Sequence, residues 1–187
     1  MSSTLWIIII LGAVILWLIF LYNTLIKLRN RTQEGWSDID VQLKRRHDLI
    51  PNLIESVKGY MKHERGLLED VTKLRSQAMK AQEQGDTKAL GQTESMLGGM
   101  LGKLQIAVEA YPDLKANQNV SQLMSELSDT ENKIQAARRF YNGMVRDFNT
   151  KMESFPNNLI AQQLKFKKFD FFEIEDPKER ENVKVQL

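Results

Sequence analysis

The sequence predicts an all-α fold, a single N-terminal transmembrane helix followed by an antiparallel helical bundle of long helices. Three observations carry this. Every residue from Leu5 to Leu21 is apolar or Gly. Beyond that run, apolar side chains recur at spacings of three and four as far as Met152, the period of amphipathic helices. No segment alternates with the period of two that marks a half-buried strand.

The first element is residues 5–26, preceded by a short extracytoplasmic N-terminus at 1–4. Its length, about 22 residues, is near the ~20 needed to cross ~30 Å of hydrocarbon. Leu5, Trp6, Trp17, Leu21 and Tyr22 mark the anchor, with the aromatic rings near its ends, where an apolar body and a polar edge suit the headgroup zone. Met1 to Thr4 has no basic residue and no small-residue cleavage pattern follows, so the helix is expected to be retained. Lys27, Arg29 and Arg31 follow the span and no basic residue precedes it. The positive-inside rule then predicts a single-pass protein of a bacterial inner membrane, N-out with its C-terminal domain cytoplasmic.

Residues 27–156 form the predicted bundle. Trp36, Ile39, Leu43, Ile50, Leu53, Val57, Tyr60, Leu67, Val71, Leu74, Ala78 and Ala81 make a stripe close to a 3.5-residue repeat, as on a long coiled-coil-like helix, with charged residues at two of its positions, Arg46 and Glu64. Pro51 lies inside it, lacking an N–H and crowding the carbonyl of His47, which predicts a kink or short break near Ile50 and Pro51. Gly59 is expected to weaken this helix without ending it. Gly85 and Asp86 predict a turn over 82–87, followed by a second helix from Lys88 to Tyr111. Asn117 to Asn119 caps a third helix that runs to Met152 and ends before Pro156.

The second helix carries Gly91, Gly98, Gly99 and Gly102, and each interior Gly costs roughly 0.5 to 1 kcal/mol relative to Ala. Some close approach of backbone is implied. Gly98, Gly99 and Gly102, with Met96 and Met100 beside them, are a candidate interface, packed either within the bundle or against another subunit. The tail, 157–187, either packs on the bundle or contacts the membrane. Its aromatics would complete the core; alternatively Lys165, Phe166, Lys167, Lys168 and Phe169 would touch anionic lipid.

Chemistry finds little footing. The 26 basic and 24 acidic residues leave a net charge of +2, with no large field suited to nucleic acid. There is no cysteine. His47 and His63, the two histidines, are too far apart for the i, i+4 spacing with which one helix shares a metal. Asp38, Asp40 and Asp48 lie near Lys44, Arg45 and Arg46, which predicts surface ion pairs along one helix. No phosphate-loop, dinucleotide, hydrolase or kinase signature is present. The expectation is no enzyme, no catalytic residue, no metal and no cofactor.

Longer strings carry a resemblance. Y-N-T-L-I-K-L-R-N-R at 22–31, the run from Trp36 to Tyr60 that includes R-R-H-D-L-I-P-N-L-I, A-Y-P-D-L-K-A-N at 110–117, T-E-N-K-I-Q-A-A-R-R-F-Y-N at 130–142 and S-F-P-N-N-L-I-A at 154–161 are similar to the LemA family of bacterial membrane proteins. Gly35 and Gly143-Met144 depart from the family's usual residues, and the Met- and Gly-rich middle helix is least like it. The resemblance implies an anchored cytoplasmic bundle with no established catalytic activity, and in some members an association with a membrane-bound zinc metalloprotease.

The function expected is therefore a non-enzymatic membrane scaffold or adaptor. It would self-associate as a homo-oligomer and support envelope organisation or a membrane protease. The alternative is a signalling or adaptor module that binds one soluble partner through the charged face from Asp38 to Asp48.

Overall fold

The computed structural model describes residues 3–173, and these form helices and connections without a strand. Helix α1 runs unbroken from Ser3 to Val57. Next come α2 (Arg65–Gln84), α3 (Thr87–Glu109), a short α4 (Pro112–Ala116), α5 (Gln118–Glu153) and α6 (Asn157–Gln163). The second half of α1, with α2, α3 and α5, makes an antiparallel bundle in which α1 lies along α5 and α2 along α3.

Pro51 lies inside α1 without breaking it, so of the kink or short break expected from the sequence the break does not occur. The reason lies in a neighbour. The His47 carbonyl, which loses its partner because Pro51 has no N–H, accepts a 2.7 Å hydrogen bond from Arg75 Nε on α2. A side chain from the next helix thus replaces the missing backbone donor. The break comes later, over 58–64, where the helix former with the weakest propensity after proline, Gly59, follows Val57. The apolar stripe reads straight through this break because Ile50, Leu53, Val57 and Met61 face the same core as Leu68 and Val71 on the returning helix. His47 and His63 accordingly lie on different segments, not on one helix.

The remaining boundaries follow their caps. Gly85, at φ 66°, closes α2 in the left-handed region, with its own N–H and that of Asp86 donating to Gln82 and Ala81 carbonyls. The Asp86 carboxylate caps α3 at Ala89 N–H, and the Asn117 side chain caps α5 at the N–H groups of Asn119 and Val120. Pro112 opens α4 as an N-terminal proline, so the second predicted helix stops short of Tyr111.

The core is three stacked clusters. One joins Ile50, Leu53 and Val57 to Leu97, Leu104 and Leu127 at the end far from the anchor. The middle one surrounds Ile39, Leu43, Leu90, Ile134 and Tyr141. The third packs Leu25 against Phe148, Met152 and Ala161. Close approach of α1 and α5 uses Gly35, where a Cβ would stand 3.2 Å from the Tyr141 Cα.

After α6 the chain doubles back along α5 as an extended strap. Asn149 donates to the Phe169 carbonyl and accepts from Phe169 N–H; Asn142 does the same for Phe172. Two asparagines seven residues apart on one helix therefore serve the strap as a neighbouring strand would. Phe172 is fully buried against Trp36, ring centroids 5.6 Å apart, and Phe166 and Phe169 pack on Phe148. The strap closes over α3 at Gly91, where a Cβ would collide with the Glu173 carbonyl.

Candidate functional site

In the bundle the sequence features of greatest interest converge on the seam between α3 and α5. The strap fills the seam's anchor-proximal half. Beyond Gly91 and Asn142 the seam opens into a groove of about 340 Å³, with Ser95, Gly98, Gly99 and Gly102 on one wall and Ser128, Glu131 and Arg138 on the other.

A buried charge cluster underlies the groove. Arg46 of α1 is 2% exposed and His47 equally so. Arg46 Nη1 donates to Glu94 Oε2 of α3 at 2.6 Å, and Glu94 Oε1 lies 2.7 Å from His47 Nε2. The second guanidinium nitrogen meets Glu131 of α5. One arginine thereby ties three helices, and one carboxylate serves two basic side chains. Glu94 and Glu131 also line the groove, so the cluster forms part of its floor. Removing one member of such a cluster strands a buried charge, at a cost of about 3 to 5 kcal/mol.

This differs from the ion pairs expected along α1 itself. Arg45 reaches across to Glu126 and Asp129 on α5, at 3.8 and 3.9 Å, and Asp40 accepts from Gln82 of α2. The physical reason is direction. Arg46 and His47 share the inward face of α1 with Leu43 and Ile50, so their partners must come from other helices. Lys133, with help from Arg45, holds the Asp129 carboxyl below its ordinary range. Tyr111 donates a 2.6 Å hydrogen bond to Glu64, and that bond with the adjacent negative charge raises the phenol's pKa. Tyr141 is pushed up to about 12 by burial and by Asp170, whose carbonyl its hydroxyl bonds at 2.9 Å.

The sequence-named residues distribute as follows. Gly99 and Gly102 are exposed and a Cβ on either would meet nothing within 4 Å; Gly98 comes only within 3.8 Å of Glu131. Among the described residues, nothing packs closely on Gly99 or Gly102. Met100 turns away from the groove to join the distal core, and Met96 stands in solvent on another face, so the five do not form one strip. Lys165, Lys167 and Lys168 are exposed, Lys168 pairing with Glu153, while Phe166 and Phe169 turn inward. Leu5, Trp6, Trp17 and Tyr22 are exposed on α1, whereas Leu21 is 5% exposed. Lys27, Arg29 and Arg31 follow on its open surface. Among the described residues, no cluster of three or more metal-ligating side chains occurs.

Sequence reasoning missed Glu94, Glu131, Asn142 and Asn149. A polar residue at a stripe position was visible for Arg46; its partners had no such mark.

The first part of α1 is long and apolar enough to cross a membrane, and almost none of that surface is buried against the bundle. Comparison with known proteins agrees with this picture. A model of the LemA family matches residues 35–187. Protein LemA of Metamycoplasma hominis is 32% identical over 142 residues, which cover 76% of this chain and 64% of that protein. Magnetosome protein MamQ 2 of Paramagnetospirillum magneticum is 24% identical over 83% of the chain and 66% of its own length. Magnetosome protein MamQ of Magnetospirillum gryphiswaldense is 23% identical over 87% and 68%. The chain thus spans about two thirds of the length of these relatives. On the family match and the LemA relative together, this membrane-associated helical protein belongs to the LemA family.

Proposed function

We propose that the protein is a membrane-anchored scaffold that self-associates through the open half of the α3–α5 seam, with its bundle on the cytoplasmic face of a bacterial inner membrane. One observation carries the reading. Gly99 and Gly102 cost helix stability, roughly 0.5 to 1 kcal/mol each, yet none of the described residues would come within 4 Å of a Cβ on either. A second copy whose backbone or side chains enter the groove supplies the missing reason. The exposed Ile106 on the same stretch of α3 adds apolar surface to that face.

The relatives named as magnetosome proteins support an association with a membrane; organising that membrane, or supporting a membrane-bound metalloprotease, is the use proposed for the scaffold. The adaptor reading has less support, because Asp40, Arg45 and Arg46 on its charged face are engaged within the bundle.

Mass measurement of the full-length protein in detergent tests self-association. A closed oligomer is expected, reduced to monomer by Gly102→Leu, a change the free chain accommodates because its Cβ meets open space. A monomeric native protein would overturn the scaffold.

A further inference from the structure

The short helix α6 lies against α1 at Leu18, Ile19 and Tyr22, the last turns of the apolar run and not the bundle proper. Between them is an open apolar groove of about 560 Å³, walled on one side by those three residues and on the other by Leu159, Ile160 and Leu164. Phe155, Leu159 and Leu164 face outward at 79%, 59% and 49% exposure. A cluster of large apolar side chains in water at the mouth of an apolar groove is costly, but here one wall is the membrane-spanning run itself. The medium that covers α1 at this level therefore also covers α6.

Basic residues follow at once. Lys165, at φ 56°, occupies the left-handed position that ends α6, with Phe166 N–H donating to the Ala161 carbonyl. Glycine is the ordinary residue there, because a side chain is strained in that conformation. A lysine at this corner follows the groove's Leu164 wall with an exposed charge, and the exposed Lys167 comes two residues later.

From this juxtaposition we propose that the groove between α1 and α6 is a lipid site. It holds an acyl chain of a phospholipid in the leaflet next to the bundle, and Lys165 and Lys167 favour an anionic headgroup over it. The site explains why the inward aromatics Phe166 and Phe169 do not serve the membrane while Phe155, Leu159 and Leu164 do. It rests on α1 lying in the bilayer and is independent of self-association.

The chain has no cysteine, so single cysteines can carry a spin label in the full-length protein in nanodiscs. Labels at Leu159→Cys and Leu164→Cys should relax with oxygen and be shielded from a water-soluble nickel chelate. A label at the exposed Gln162→Cys should do the reverse, and one at Leu11→Cys reports the span. If Leu11 is in the bilayer and Leu159 is as open to the chelate as Gln162, the lipid site is wrong and the anchor stands. If Leu11 is itself in water, the anchor reading has failed first. For the headgroup, native mass spectrometry compares retained phosphatidylglycerol with phosphatidylcholine. The preference should fall by about fivefold for each of Lys165→Gln and Lys167→Gln. Equal retention of the two lipids by the native protein would remove the anionic preference.

Discussion

The two halves of the α3–α5 seam are built from similar materials and finished differently. In the anchor-proximal half, Gly91 is buried because the Glu173 carbonyl crosses it, and the strap is fastened by Asn142, Asn149 and Phe172. In the distal half, Gly99 and Gly102 sit on the same helix with none of the described residues over them. The contrast shows that a glycine's meaning is set by what approaches it. The boundary between the halves lies over the charge cluster, which fixes how α1, α3 and α5 stand relative to one another.

The largest effect should come from that cluster, since both halves depend on it. Glu94→Ala leaves Arg46 with only its Glu131 contact and His47 without its carboxylate, and is expected to cost about 3 to 5 kcal/mol in chemical denaturation. A loss below about 1 kcal/mol would mean that the halves are held in place by apolar packing alone.

The strap is next. Asn142→Ala removes a donor and an acceptor from the backbone of Phe172 and is expected to cost about 1 to 3 kcal/mol. Hydrogen exchange should rise at Phe169 and Phe172 but not at Leu97 or Leu104 in the distal core. Uniform exposure along the seam would erase the distinction between its halves.

Alkaline titration probes the closed half more gently. Burial and Asp170 raise Tyr141 to about 12, so the neutral phenol stabilises the fold. Its contribution is complete below the ordinary value near 10 and fades as the pH rises through about 12. The midpoint of urea unfolding should fall over this window, and less steeply in Tyr141→Phe. An equal slope in both would assign the alkaline loss to other groups.

These contrasts also show what could be read from the chain before its structure. The helical class, the long apolar first part of α1, the turn at Gly85 and the cap at Asn117 rest on local propensity and period, which sequence displays directly. That the helix continues through Pro51 without a break could not be read locally, because the His47 carbonyl finds its donor in Arg75, whose approach is tertiary. Arg46 stood out as a charge on an apolar stripe, but Glu94 and Glu131 resemble any other surface carboxylate of an amphipathic helix. Gly91 and Gly99 are likewise indistinguishable by type. Only the return of the strap, fixed by two asparagines with no sequence signature, separates them.

The smallest effect bears on the distinction most directly. Gly99→Ala adds a methyl group that meets none of the described residues, so in dilute detergent, where any oligomer has dissociated, it should raise stability by about 0.5 to 1 kcal/mol. Gly91→Ala should lower it, because the Glu173 carbonyl must move or the strap must lift. If the open half receives a second copy, the gain at Gly99 should reverse at concentrations where the native protein assembles, since the same methyl then occupies contact space. Persistence of the gain in the assembled protein would place Gly99 outside the interface, and would move the search for the partner surface to another face of the bundle.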